Sequence, residues 1–377
     1  MAVRNLFFYF AAGLMVFAGC RGSSSLVQPA EDMPADSVGY TIIYMIHGDS
    51  DYLYHDGDGN PVRADERIAA EARRVAERAV GGEVFIFHQL PERRIFGLIP
   101  DDSRKMIYYL GGEKVSVLDY RSARDNRLFH AEYSLFSRYR AGRSGDDMKG
   151  DDTEGDDTEG DDIKTIFLYF GHEIPDRNGY GYHRSQEMVA VNRQTFAAGL
   201  EEFQEGTGKF DLTVLSSCNN GTPGMVRRMQ PVTNTLLASA QNLHLSHVDT
   251  RPLYLLEESP GISTKRVAEA VASETFRRLD RTVQTEITLS VYDMSRITGA
   301  ILQQDLSDLF RPPGMVPDRF ADNTDCADFH LFRELDYTSG VRLWYRSPRF
   351  GSAAGKESHS GWGCRKTAKT DYRTTSR

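Results

Sequence analysis

Two apolar runs that each stop at a chemically active residue constrain this chain more than any other feature. The first, residues 165–171, is followed at once by His172; the second, 210–217, is followed by Cys218. Both are short and rich in β-branched and aromatic residues, the pattern of strands buried on both faces of a parallel sheet. Ligands of open α/β sheets bind outside the carboxyl ends of the strands. A His and a Cys at two such ends are therefore candidates for one site, where an imidazole activates a thiol nucleophile.

The rest of the chain supplies the sheet these strands would need. Residues 40–46, 83–88, 232–239, 286–292 and 341–345 read as further strands. Residues 105–110 and 114–118 read as a hairpin through Gly111-Gly112. Helical periodicity covers 64–80, with Ile68, Ala72, Val75 and Ala79 on one face, and is also present over 129–136, 189–203 and 263–279. A turn and helix open at Pro223-Gly224, and Asp293-Met294-Ser295 carries helix-capping residues. Strands alternating with helices predict an α/β fold, a mainly parallel sheet with helices on both faces.

With 377 residues the chain has ample length for one large domain. Its net charge of −9 gives no support to a nucleic-acid partner. Much of that charge sits in one tract, four consecutive pentapeptides that begin at Gly145, Gly150, Gly155 and Gly160. With almost no apolar content, residues 144–164 read as an acidic loop inserted before the His172 strand. No cofactor is required; their carboxylates are hard oxygen ligands that would suit calcium, but the spacing fits no EF-hand and a solvated expansion of a short repeat is the preferred reading. Elsewhere His244 and His247 have a ligand-like spacing, but no partner completes a zinc set.

The N-terminus reads as a targeting segment. Arg4 precedes the apolar stretch 6–17, and Phe17-Ala18-Gly19-Cys20 closes it. This resembles a bacterial lipoprotein signal. The resemblance implies that residues 1–19 are removed, that Cys20 is lipidated, and that 20–37 form a flexible tether. A plain secretory signal or a membrane anchor are the alternatives, though the run is short for a spanning helix. With no Asp after Cys20, the resemblance points to a lipid-anchored protein of the cell envelope, at the outer membrane. Cys326 and Cys364 fit either a disulfide of an exported protein or two unpaired thiols. Residues 38–350 read as the folded domain and 351–377 as a basic, disordered tail.

The order of the motifs resembles the clostripain-like cysteine peptidases of the caspase-like clan. Tyr44-Met45 through Gly48-Asp49 resembles the opening strand and its acidic turn. Phe170-Gly171-His172 resembles the catalytic His segment, and Leu215-Ser216-Ser217-Cys218 with Gly221 the nucleophile segment. The strand ending at Ser239 and the junction around Asp293 are similar to the later family strands. The resemblance implies a caspase-like α/β/α sandwich and a cysteine endopeptidase acting on proteins or peptides. It assigns Cys218 as nucleophile, His172 as general base and acid, and the backbone N–H groups of Cys218 and Glu173 as the oxyanion hole. It also implies cleavage after Arg or Lys and self-processing at a basic residue between the His and the Cys, for which Arg184 and then Arg177 are the candidates.

Two positions depart from the family pattern. Glu173 stands where Gly is usual, and its side chain could orient His172 or crowd the substrate. Ser216 stands where the family carries an Asp that recognises a basic side chain, and Asp249 is the carboxylate that could replace it. These departures motivate the alternative reading, a catalytically inactive, surface-tethered binding protein that retains the peptidase fold. His47 also follows an apolar strand and is a weaker rival for the role of His172.

Overall fold

The computed structural model describes residues 38–48, 53–55, 59–90, 93–95, 99–101, 104–121, 127–141, 163–176, 189–205, 207–243, 248–297, 323–329 and 340–365. Their framework runs, in chain order, β1 (Tyr40–His47), α1 (Ala64–Ala76), β2 (Gly82–Gln89), β3 (Arg104–Leu110) and β4 (Glu113–Tyr120). It continues with α2 (His130–Tyr139), β5 (Lys164–Phe170), α3 (Arg193–Gln204), β6 (Leu212–Ser216), α4 (Pro223–Met229) and β7 (Thr235–Ala238). α5 (Thr264–Thr282), β8 (Ile287–Asp293) and β9 (Val341–Arg346) complete it. The nine strands form one sheet in the order β9-β8-β7-β6-β5-β1-β2-β3-β4.

The five central strands, β7-β6-β5-β1-β2, are parallel, and each flank is extended by antiparallel strands. Strand β1 has β2 on one side and β5 on the other, so the direction of winding reverses between β1 and β5. Such a reversal opens a crevice at the carboxyl ends of the strands.

The alternation of side chains along β5 builds both halves of the core. Ile166, Leu168 and Phe170 join one apolar cluster, with Ile68, Ala72 and Val75 of α1 and Val267, Val271 and Leu279 of α5. Phe167 and Tyr169 point the other way, against Phe136 of α2, Phe196 and Phe203 of α3 and Met225 of α4. Helices α1 and α5 thus cover one face and α2, α3 and α4 the other, an α/β/α sandwich with a mixed sheet. α3 begins at Arg193, later than the periodicity predicts, because Asn192 stops the helix: its side chain accepts from the N–H of Thr195 in a capping box.

The expected disordered tail is corrected in part. Residues 351–365 belong to the fold, with Trp362 buried and Gly363–Arg365 paired antiparallel to Asn323–Asp325. Cys326 and Cys364 form a disulfide with a Cα–Cα distance of 4.9 Å. The Gly/Ser-rich composition of this stretch hides the two residues that anchor it, an indole and a half-cystine. Residues 366–377, the N-terminal segment with Cys20, and the acidic repeat over 145–162 lie outside the described residues.

Phe167 is fully buried at the centre of the aromatic layer, 5.3 Å from Phe210 and 6.1 Å from Phe203 between ring centroids. Phe167→Ala is expected to cost about 3–5 kcal/mol of stability, measured by urea unfolding. A loss under about 1 kcal/mol would mean that this layer does not hold the sheet in the way described.

Candidate active site

The site follows from the pairing of β5 with β6. Phe170 lies opposite Ser216 in a parallel register. His172 is two residues beyond Phe170 and Cys218 two beyond Ser216, so the two leave adjacent strands at the same level. Adjacent strands are spaced by about 4.8 Å. The ladder is carried one step further by the Gly171 N–H, which donates to Ser216 O at 3.4 Å. The Tyr169 hydroxyl donates to the His172 carbonyl at 3.4 Å, tying down the backbone of the histidine. A Cβ at Gly171 would run into the Tyr169 ring, so only glycine fits between strand and histidine.

Cys218 opens a tight turn. Asn219 follows it in the left-handed region at φ 55°, which Asn tolerates better than most residues. The turn is stapled to the chain leaving β7: Asn219 N–H donates to Gln241 O at 3.0 Å and Gly221 N–H to Ser239 O at 2.6 Å. The Asn220 amide donates to the Ser217 hydroxyl. Thr222 then caps α4, accepting from the Met225 N–H at 3.2 Å, with Pro223 in the first turn. The strand, turn and helix are thus each fixed, with the cysteine between them.

The thiol itself is half-buried, and its Sγ donates to Leu243 O at 3.5 Å. Burial pushes the Cys218 thiol up from the ordinary cysteine range, outweighing the hydrogen bonds that oppose it. Burial therefore favours the thiol over the thiolate at Cys218.

Glu173, half-buried, reaches toward the turn that follows Cys218. Its Oε2 accepts from the Asn219 side-chain amide at 3.0 Å, and the same amide lies 3.4 Å from Asn242 Oδ1. The residue after the histidine is thereby linked to the residue after the cysteine and to the chain beyond β7. This is a contact that neither alternative weighed for Glu173 anticipates.

The two residues expected to bind substrate are buried in or paired within the fold. Ser216 is fully buried at the end of β6. Asp249 gives its carboxylate to Arg278 of α5 at 2.7 Å, and its N–H donates to Thr275. His47, the rival histidine, is buried edge-on to Tyr169 at 5.3 Å and Phe129 at 5.9 Å. That is the environment of a core histidine. Arg193 is buried and ion-paired with Asp176. Arg177, Arg184, His244 and His247 lie outside the described residues, among which no cluster of metal-ligating side chains occurs.

Sequence reasoning missed Asn219, Asn242 and Leu243 as parts of the site. Asn219-Asn220-Gly221 signals a turn, but not one that bonds to Glu173. Asn242 and Leu243 carry no local signal, since they meet Asn219 and Cys218 only because β7 lies beside β6.

No family model and no curated protein matches the chain. Among solved structures it is similar to an inactive zymogen C11 protease from Parabacteroides distasonis. The identity is 12%, the match covers 88% of this chain and 93% of that one, and the TM-score is 0.52. It is also similar to a secreted C11 cysteine protease from Bacteroides thetaiotaomicron in complex with an irreversible peptide inhibitor. There the identity is 10%, the coverage 68% and 66%, and the TM-score 0.44. The fold is that of the caspase-like C11, or clostripain-like, cysteine proteases.

A raised thiol pKa means that the thiolate forms only at high pH. Alkylation of Cys218 in the resting protein is expected to rise with pH through a midpoint above 9.0, the ordinary value for the group. Labelling read by intact mass checks this. A midpoint near neutrality would mean that Cys218 already rests as a thiolate paired with a histidine cation.

Proposed function

We propose that this protein is a cysteine endopeptidase in which Cys218 is the nucleophile and His172 the general base and acid. The observation that carries the reading is the register of β5 and β6, which brings a His and a Cys to the same edge of a C11-type sheet. His172 takes the thiol proton, and the sulfur attacks the scissile carbonyl carbon. His172 then gives that proton to the leaving amine as the C–N bond breaks, leaving a thioester. Water, deprotonated by His172, hydrolyses the thioester and restores the thiol. The N–H groups of Cys218 and Glu173 are the donors for the oxyanion. Because the resting Sγ–H is directed at Leu243 O, catalysis requires it to exchange that partner for His172.

The Arg/Lys preference draws no support from Ser216 or Asp249, since one is buried and the other neutralised. What supports it is the carboxylate of Glu173, held beside the nucleophile turn. The remaining parts of the reading rest on sequence: a lipid anchor at Cys20 in the cell envelope, and self-processing at Arg184 or Arg177.

Two experiments test the reading. Soluble protein beginning after Cys20 is assayed on peptides ending in Arg, Lys or a neutral residue. Wild type is expected to cleave them, and Cys218→Ala to lose at least about a thousandfold in kcat. Glu173→Gln is expected to lower kcat/KM for Arg and Lys substrates by about tenfold while sparing neutral ones. Intact mass reads the self-processing: two fragments from wild type, one chain from Cys218→Ala. Folded wild type that cleaves nothing, before or after limited proteolysis, would favour the inactive binding protein.

A further inference from the structure

The folded end of the chain returns to the catalytic edge of the sheet, and its hydrogen bonds reach the nucleophile turn. The Gly363 N–H donates to Gly221 O at 2.8 Å, three residues after Cys218. The carbonyl of Gly361 accepts from the Tyr292 hydroxyl at 2.6 Å and from Ser290 Oγ at 3.0 Å. Gly221 lies in the angle between these groups. A Cβ there would come within 2.7 Å of both Tyr292 Oη and the Ala240 nitrogen. The last residue of the turn is therefore enclosed by the exit of β7, by β8 and by the C-terminal segment.

That segment is itself anchored at several points. Trp362 is buried against Tyr292, with ring centroids 4.7 Å apart. The Cys326 N–H donates to Trp362 O at 3.0 Å, and the Cys326–Cys364 disulfide lies beside it. Asp325 accepts from the Ser360 N–H at 3.0 Å and pairs with Lys356 at 3.0 Å. Burial by itself pushes its carboxyl up, but His359, Ser360, Lys356 and the Ala327 N–H outweigh it and hold the carboxyl below the usual range.

We propose that residues 359–365 form a positioning strap for the nucleophile turn, locked by the Cys326–Cys364 disulfide, and that opening the disulfide turns the enzyme down. The inference rests on the peptidase reading for its consequence but not for its geometry. A dithiol reductant opens the S–S bond by exchange, supplying two electrons and two protons and leaving as its own disulfide. Two thiols then replace the clasp, and Gly363 is held to Gly221 only by non-covalent contacts, its own N–H bond and the packing of Trp362 on Tyr292. A turn displaced by about 1 Å misaligns Cys218 and can cost on the order of 100-fold in rate.

The test compares wild type with the Cys326→Ser/Cys364→Ser double variant, and with two variants that keep the disulfide. Tyr292→Phe removes the donor to Gly361 O, and Gly363→Pro removes the N–H that meets Gly221. Each is read in two ways: kcat and KM on the best peptide substrate, and the rate at which iodoacetamide labels Cys218. The double variant is expected to lose about tenfold or more in kcat with KM within about twofold, and to label about fivefold faster as the thiol loosens. Tyr292→Phe and Gly363→Pro are expected to move the same way by smaller factors. Unchanged labelling and unchanged kcat in the disulfide-intact variants would overturn the proposal, whatever the double variant does to folding. The labelling arm reads the strap even where wild type cleaves no peptide, so failure of the strap and failure of the peptidase reading are distinguishable.

Discussion

The structure depends first on the parallel pairing of β5 with β6. Both strands are buried on both faces, so their register is fixed by the hydrogen-bond ladder and by two apolar layers at once. A slip of one residue would turn Phe167 and Tyr169 toward α1 and α5 and would send Ile166 and Leu168 into the aromatic layer. The same slip would carry His172 and Cys218 out of step. The alignment of the two candidate catalytic residues is therefore enforced by the core, before any side chain of the site makes a contact.

Register brings the cysteine to the right level but does not orient it. Orientation comes from the turn, and the turn draws its partners from parts of the chain distant in sequence. Asn219 and Gly221 bond to the exit of β7, Glu173 arrives from β5, and Gly363 arrives from beyond β9. β7 itself is held from the far side by its antiparallel neighbour β8, where Leu236 faces Tyr292. Tyr292 in turn touches the C-terminal segment. Loosening any one of these members leaves the others fewer fixed points, which is how a residue outside the reacting groups gains influence over them.

The sequence is most readable where a residue's role is set by its immediate neighbours. Runs of β-branched and aromatic residues identify the strands, Ile68, Ala72 and Val75 identify the buried face of α1, and Gly111-Gly112 identifies the hairpin. The placing of His172 and Cys218 at strand ends follows from the same local reading. What escapes is whatever depends on which strand lies beside which. Asp249 has the charge expected of a substrate-binding group, yet a turn of α5 presents Arg278 to it. Ser216 is polar and two residues before Cys218, yet the strand that carries it is buried to its last residue. The segment beyond residue 350 has the composition of a tail, and composition averages away one tryptophan and one cysteine whose partners lie far upstream.

The chain carries a disulfide and, among its described residues, one free thiol, two states of sulfur that respond in opposite ways to an oxidising environment. Oxidation attacks thiolates, so a low-pKa cysteine left exposed beside a disulfide-forming pathway would be lost to sulfenic acid or mixed disulfides. Burial resolves the conflict here. It favours the thiol form of Cys218, directed at Leu243 O, while Cys326 and Cys364 are joined. In the proposed reaction the activation of Cys218 is then deferred until His172 accepts its proton. A thiol held above the ordinary range is less open to oxidation than a thiolate, which would protect the proposed nucleophile in any setting where disulfides form. The proposed strap adds a complementary condition, because it holds the turn that carries Cys218 in place while the disulfide remains closed.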